Sequence, residues 1–181
     1  TEEDRAHAAH KICRCIEDAE LSAEEREHAR HIMAIMAQDA AALVRRSLAV
    51  ALKNSPKLPR EIANKLAQDI DSIALPVILN SPVLTDSDLV AIVRACPPAK
   101  QIAVASRDSI STTVTGALAS FAVPEAVERA LANDNAKFDA AGLDTTLERF
   151  AGVSTITAAM VHRNELPVSV TEKLVTMVSG E

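Results

Sequence analysis

The chain has 181 residues, with no Trp or Tyr, three Phe and four Gly, and 48% of it is hydrophobic. Its 19 Lys plus Arg against 25 Asp plus Glu leave a net charge of −6, which argues against a phosphate backbone as partner, and so few aromatic rings argue against base stacking. No run approaches the about 18 apolar residues of a membrane span, and three cysteines that cannot all pair point to reduced thiols and a cytoplasmic setting, so neither nucleic acid nor membrane is expected as a partner.

The first stretch is the acidic one: residues 1–31 hold nine acids and five bases. It reads as two helices, 3–19 and 22–37, forming an acidic N-terminal cap over residues 1–37. Ser22 with Glu25 three residues on is a capping box, which fixes the second helix start. His7, His10, Cys13 and Cys15 bring metal-ligating side chains together, with His28 and His31 on the next helix. On one helix Cys15 points away from the His7–His10 face, and the short spacings of structural zinc sites are absent. No metal is therefore expected; the histidines read as a solvated surface open to pH sensing.

Further helices are expected at 40–53, 59–69, 71–79, 86–95, 98–106, 111–121, 124–133, 140–151, 153–162 and 168–178. They follow from a repeat, because an apolar residue followed by a helix-starting one recurs as Leu58-Pro59, Leu84-Thr85, Ile110-Ser111, Phe138-Asp139 and Leu166-Pro167, separated by 26, 26, 28 and 28. Leu52, Ile78, Val104, Ala132 and Met160 precede these anchors by six, and Leu66, Ile92, Leu118, Thr146 and Leu174 follow by eight. In that last series Thr146 breaks the apolar pattern, with Leu147 beside it. Turn residues such as Asn54-Ser55-Pro56 and Asn80-Ser81-Pro82 stop one helix before the next begins. A unit this small cannot bury its own apolar face, so the chain is expected to be an all-α solenoid, a superhelix of stacked helix pairs in a single domain over 1–181.

The stretch 38–52, with its Asp39, Val44-Arg45 and Ala-rich apolar spacing, resembles the first helix of a HEAT repeat, with a weaker echo at 69–77. The resemblance implies that Arg45 or Arg46 pairs with an acid of the adjoining repeat, Asp69 or Asp71. At a finer level Val44-Arg45-Arg46-Ser47-Leu48-Ala49, residues 75–86 and Ala132-Asn133-Asp134-Asn135-Ala136 are similar to an alphaproteobacterial helical-repeat family catalogued as a domain of unknown function. That likeness supports HEAT- or armadillo-like repeats, implies that the chain is part of a longer one, and supplies no catalytic residues.

No nucleophile elbow, Gly-rich phosphate loop, zinc-protease helix or calcium loop occurs. Cys96 sits before Pro97-Pro98 at a helix end, away from the helix N-terminus that activates thiolates, and Glu24-Glu25 and Asp86/Asp88 sit in first helical turns, where carboxylates offset the helix dipole. An enzyme is therefore not expected, nor any cofactor. The expected function is a protein-interaction scaffold whose second helices line a concave face and hold a protein or peptide segment, with Arg94, Arg107 and Arg163 as anchors for carboxylates. That segment includes the missing continuation of the same chain. Val170, Leu174, Val175 and Val178 predict an apolar edge through which a second copy associates. The alternative is a HEAT-like nucleic-acid-binding or base-excising enzyme, disfavoured by charge and by the lack of Trp and Tyr.

Overall fold

The computed structural model describes residues 1–163 and 166–179. It is all-helical: α1 (Glu2–Asp18), α2 (Ala23–Met36), α3 (Ala42–Leu52), α4 (Arg60–Ala67), α5 (Asp71–Asn80), α6 (Asp86–Ala95), α7 (Pro98–Ala105), α8 (Thr112–Phe121), α9 (Pro124–Leu131), α10 (Ala140–Arg149), α11 (Ser154–Val161) and α12 (Val168–Ser179). Among the described residues there is no strand, only an isolated parallel bridge between Ile110 and Ala136. Each expected helix is present, with ends shifted by at most two residues.

The starts have local causes. Thr1 with Asp4 and Ser22 with Glu25 form reciprocal capping boxes. Ser111 accepts from the Val114 amide and Asp139 from the Gly142 amide, while Pro98 and Pro124 occupy first helical turns, where a missing N–H costs nothing. A Cβ on Gly142 would stand 3.1 Å from Asp139 Oδ1, so any larger residue there would push the capping carboxylate aside by a few tenths of an ångström. Gly152, at φ 87°, makes the left-handed turn between α10 and α11.

The chain forms two compact units, Thr1–Thr85 and Asp86–Glu181. In the first, α3 is the hub, packed on α1, α2, α4 and α5, and α4 also meets α5. The second unit has two rows: α6, α8, α10 and α12 each pack on the next in that series, as do α7, α9 and α11. Such next-but-one contacts are what helix pairs stacked side by side produce.

Leu52, Ile78, Val104 and Met160 are fully buried, but Ala132 is exposed. The reason is where two extra residues fall: α9 starts 26 after α7, so the helical equivalent of Val104 is Ala130, and the insertion lies in the turn before α10. Ala130 and Leu131 fill the space instead. Leu58, Leu84 and Ile110 are buried, whereas the anchors Phe138 and Leu166 are half-buried. Leu66, Ile92, Leu118, Thr146 and Leu174 are all buried. Thr146 needs no substitute, because its hydroxyl donates to Gly142 O at 2.8 Å and enters the core satisfied.

The expected apolar edge is smaller than the sequence suggests. Val170 and Leu174 are buried by the chain itself, Val175 is 59% exposed, and the Val178 side chain lies outside the described residues. Val168, two turns before Val175, is more exposed still. The helix turns its 170/174 stripe inward toward α10, which leaves the 168/175 stripe outside among the described residues.

Candidate partner-binding surface

A helix end leaves carbonyls without partners, and here cations from later in the chain answer them. Lys57 donates from Nζ to Ile16 O, Glu17 O and Ala19 O at 3.1, 2.5 and 3.0 Å, closing α1, whose own last turn has no base. Arg149 donates to Ala119 O and, at 3.1 Å, to Ala122 O, closing α8 in the same way. Arg163 reaches Leu131 O at 2.8 Å, Asn133 O at 3.3 Å and Ala136 O at 2.7 Å, around the end of α9 and the turn after it. Arg45 grips Asp69 in a two-point ion pair, Nε to Oδ2 at 2.6 Å and Nη2 to Oδ1 at 3.0 Å. Its third nitrogen meets Asp39 O at 2.7 Å. Between the alternatives left by the sequence, Arg45 and Asp69 are the pair, and Arg46 is exposed.

The three expected anchors therefore have different surroundings. Arg163 is structural: its donors are spent on carbonyls, its guanidinium stands 4.9 Å from the Phe138 ring centroid, and burial pushes its pKa down against a smaller opposing pull from Asp134. Arg107 is half-buried, lowered likewise by burial and partly supported by Asp86. Its backbone carbonyl accepts from Asn133 Nδ2 at 2.8 Å, which ties two successive turns together. Arg94, near the end of α6, is exposed, and its guanidinium lies 4.6 Å from the ring centroid of Phe121 on α8. Phe121 is itself 48% exposed.

Each of the three phenylalanines carries an arginine over its face, since Arg149 stands 4.6 Å from the centroid of Phe150. In the pairs at Phe138 and Phe150 the arginine is also bonded to carbonyls. At Phe121 the stacking fixes a guanidinium to which, among the described residues, no hydrogen bond or ion pair is made. The sequence pointed to Arg94 but not to Phe121, because cation and ring lie on different helices and meet only when α6 and α8 stack.

The His/Cys cluster does not converge. Cys13 is fully buried and burial pushes its thiol up to about 11, Cys15 is exposed, and His7, His10, His28 and His31 all face outward. Among the described residues no three His, Cys, Asp or Glu side chains gather as a metal site would require. Cys96 is half-buried. No described helix is long and apolar enough to cross a membrane.

Residues 73–181 match a family model described as an uncharacterised protein conserved in bacteria (DUF2336). The match starts inside α5 and takes in Arg94, Arg107, Phe121 and Arg163. No curated protein and no solved structure matches the chain.

Proposed function

The chain belongs to the DUF2336 family of uncharacterised bacterial proteins, and from that premise we propose that it is a protein-interaction module whose second unit holds a partner segment along the ends of α6 and α8. The observation that carries this reading is the Arg94–Phe121 pair. A guanidinium stacked on a half-exposed ring presents its donor edge to solvent, pre-oriented for a carboxylate or a backbone carbonyl, and the ring offers apolar area beside it. Arginine and large aromatic side chains are enriched where truncation costs binding most. A HEAT-like scaffold acting in the cytoplasm, regulatory or structural, accommodates this role.

The test is affinity capture from a bacterial lysate, with the wild type beside an Arg94→Ala/Phe121→Ala variant and an Arg129→Ala control. A specific partner should be retained by the wild type and the control and lost, by tenfold or more, with the double variant. Equal retention by all three would remove this pair from the site. A labelled single-stranded oligonucleotide held through the same pair would replace the protein-binding reading with the nucleic-acid one.

A further inference from the structure

The first unit contains an open cleft of about 830 Å³ among the end of α1, α2, the start of α4 and the turn before α6. Its floor is apolar: Ile16, Met33 and Leu58 are buried beneath it, and Leu21 and Val83 are half-buried at its sides. Its rim carries four bases, Arg26, Arg30, Lys57 and Arg60, against two acids, Glu20 and Glu61. The rest of residues 1–85 has seven bases and eleven acids, so the cleft is where an otherwise acidic unit turns positive.

These cations are not equally committed. Lys57 is held by three carbonyls of α1. Arg26 makes a single bond, to Leu21 O at 2.5 Å, and leaves the rest of its fork in solvent. Arg30 makes one contact, Nη2 to Glu61 Oε1 at 2.7 Å, with both side chains more than half exposed. Glu61 does not depend on that contact. Its carboxylate is held below the usual range first by the backbone N–H of its own first helical turn and only then by Arg30. An incoming carboxylate can therefore take Arg30 from Glu61 at small cost.

We propose that this cleft docks an acidic amphipathic peptide segment of another protein, with the segment's apolar side chains against the half-buried Leu21, Pro59 and Val83 above that floor and its carboxylates on Arg26 and Arg30. Charge selects the occupant: the rim repels a basic helix and favours an acidic one by the same contacts. Shape selects a segment over a small anion, since the cleft is open and is walled by α1, α2, α4 and the turn before α6, as grooves that receive a helix face are. This docking site is independent of the Arg94–Phe121 surface.

The experiment is selection of a displayed library of random peptides, about twelve residues each, on the immobilised whole chain, followed by fluorescence anisotropy on the enriched sequences. Enriched peptides should be acidic, with apolar residues at helical spacing. Their affinity should fall about tenfold or more in Arg26→Ala/Arg30→Ala, whose two side chains are exposed and whose fold is checked by circular dichroism, and should weaken as salt rises. Val83→Trp, which fills the cleft and leaves every charge in place, should block them too, while Arg94→Ala/Phe121→Ala leaves them bound. Enrichment of neutral or basic peptides, no enrichment, or binding indifferent to both cleft variants would overturn the proposal. Loss with the Arg94/Phe121 variant alone would assign the peptides to the other surface.

Discussion

Arg163 is a charged side chain that serves the backbone. Its fork spans Leu131, Asn133 and Ala136, and truncation leaves those carbonyls to find water in a half-buried turn. Arg163→Ala should cost about 2 kcal/mol in urea unfolding, and Arg163→Lys should recover only a minor part, because an ammonium cannot reproduce the planar fork. Cys13 provides a pH signature. Its folded thiol titrates near 11, well above its ordinary value, so between about pH 9 and 11 the unfolded chain loses a proton that the folded chain keeps. Stability is fully present below the unfolded value and falls as pH rises through this window, by up to about 1.4 kcal/mol per pH unit. The decline should be shallower in Cys13→Ala when unfolding is followed at several pH values. At pH 8 a thiol reagent should label Cys15 well ahead of Cys13, which has no exposed surface.

Between elements, the Arg45–Asp69 bridge joins α3 to the turn after α4, with both side chains less than one-fifth exposed. Removing one partner strands the other, so Asp69→Ala should destabilise by about 2 kcal/mol, more than Glu61→Ala at the exposed Arg30 pair, where the loss should stay within about 0.5 kcal/mol. Chemical unfolding of the two variants compares them directly. The twelve helices were legible from spacing, because caps and prolines set helix starts, whereas the HEAT resemblance implied only that Arg45 or Arg46 would meet Asp69 or Asp71, and packing selected Arg45 with Asp69. Ala132 was misplaced because counting back from Phe138 carries a turn insertion into the helix before it, and sequence alone does not say on which side of an anchor two extra residues sit. The Arg94–Phe121 stack and the cleft beside Met33 were not legible for a related reason. Each is made by residues on separate helices whose facing depends on packing, not on period.

Across the whole molecule, two sets of bases are told apart by their neighbours: one closes helix ends on carbonyls, and the other stands at the surfaces proposed for binding. Lys57, Arg149 and Arg163 are of the first kind, Arg26, Arg30 and Arg94 of the second. A chain cut after Gly152 loses α11 and α12 and also the arginine that finishes α9. Amide hydrogen exchange should therefore rise at 132–136 in the shortened chain, and Arg163→Ala in the intact chain should reproduce that local rise without unfolding α11. The same wiring bears on synthesis at the ribosome. Arg149 lies 30 residues beyond Ala119, Arg163 lies 32 beyond Leu131, and Lys57 lies 41 beyond Ile16. Each of these three helices, emerging from the exit tunnel, therefore waits about 1.5 to 8 seconds, at about 5–20 residues per second, before the cation that closes it exists. During that interval its end is frayed and open to a chaperone or a protease, so the protein gains its finished form in instalments, each helix end maturing one step behind the growing tip.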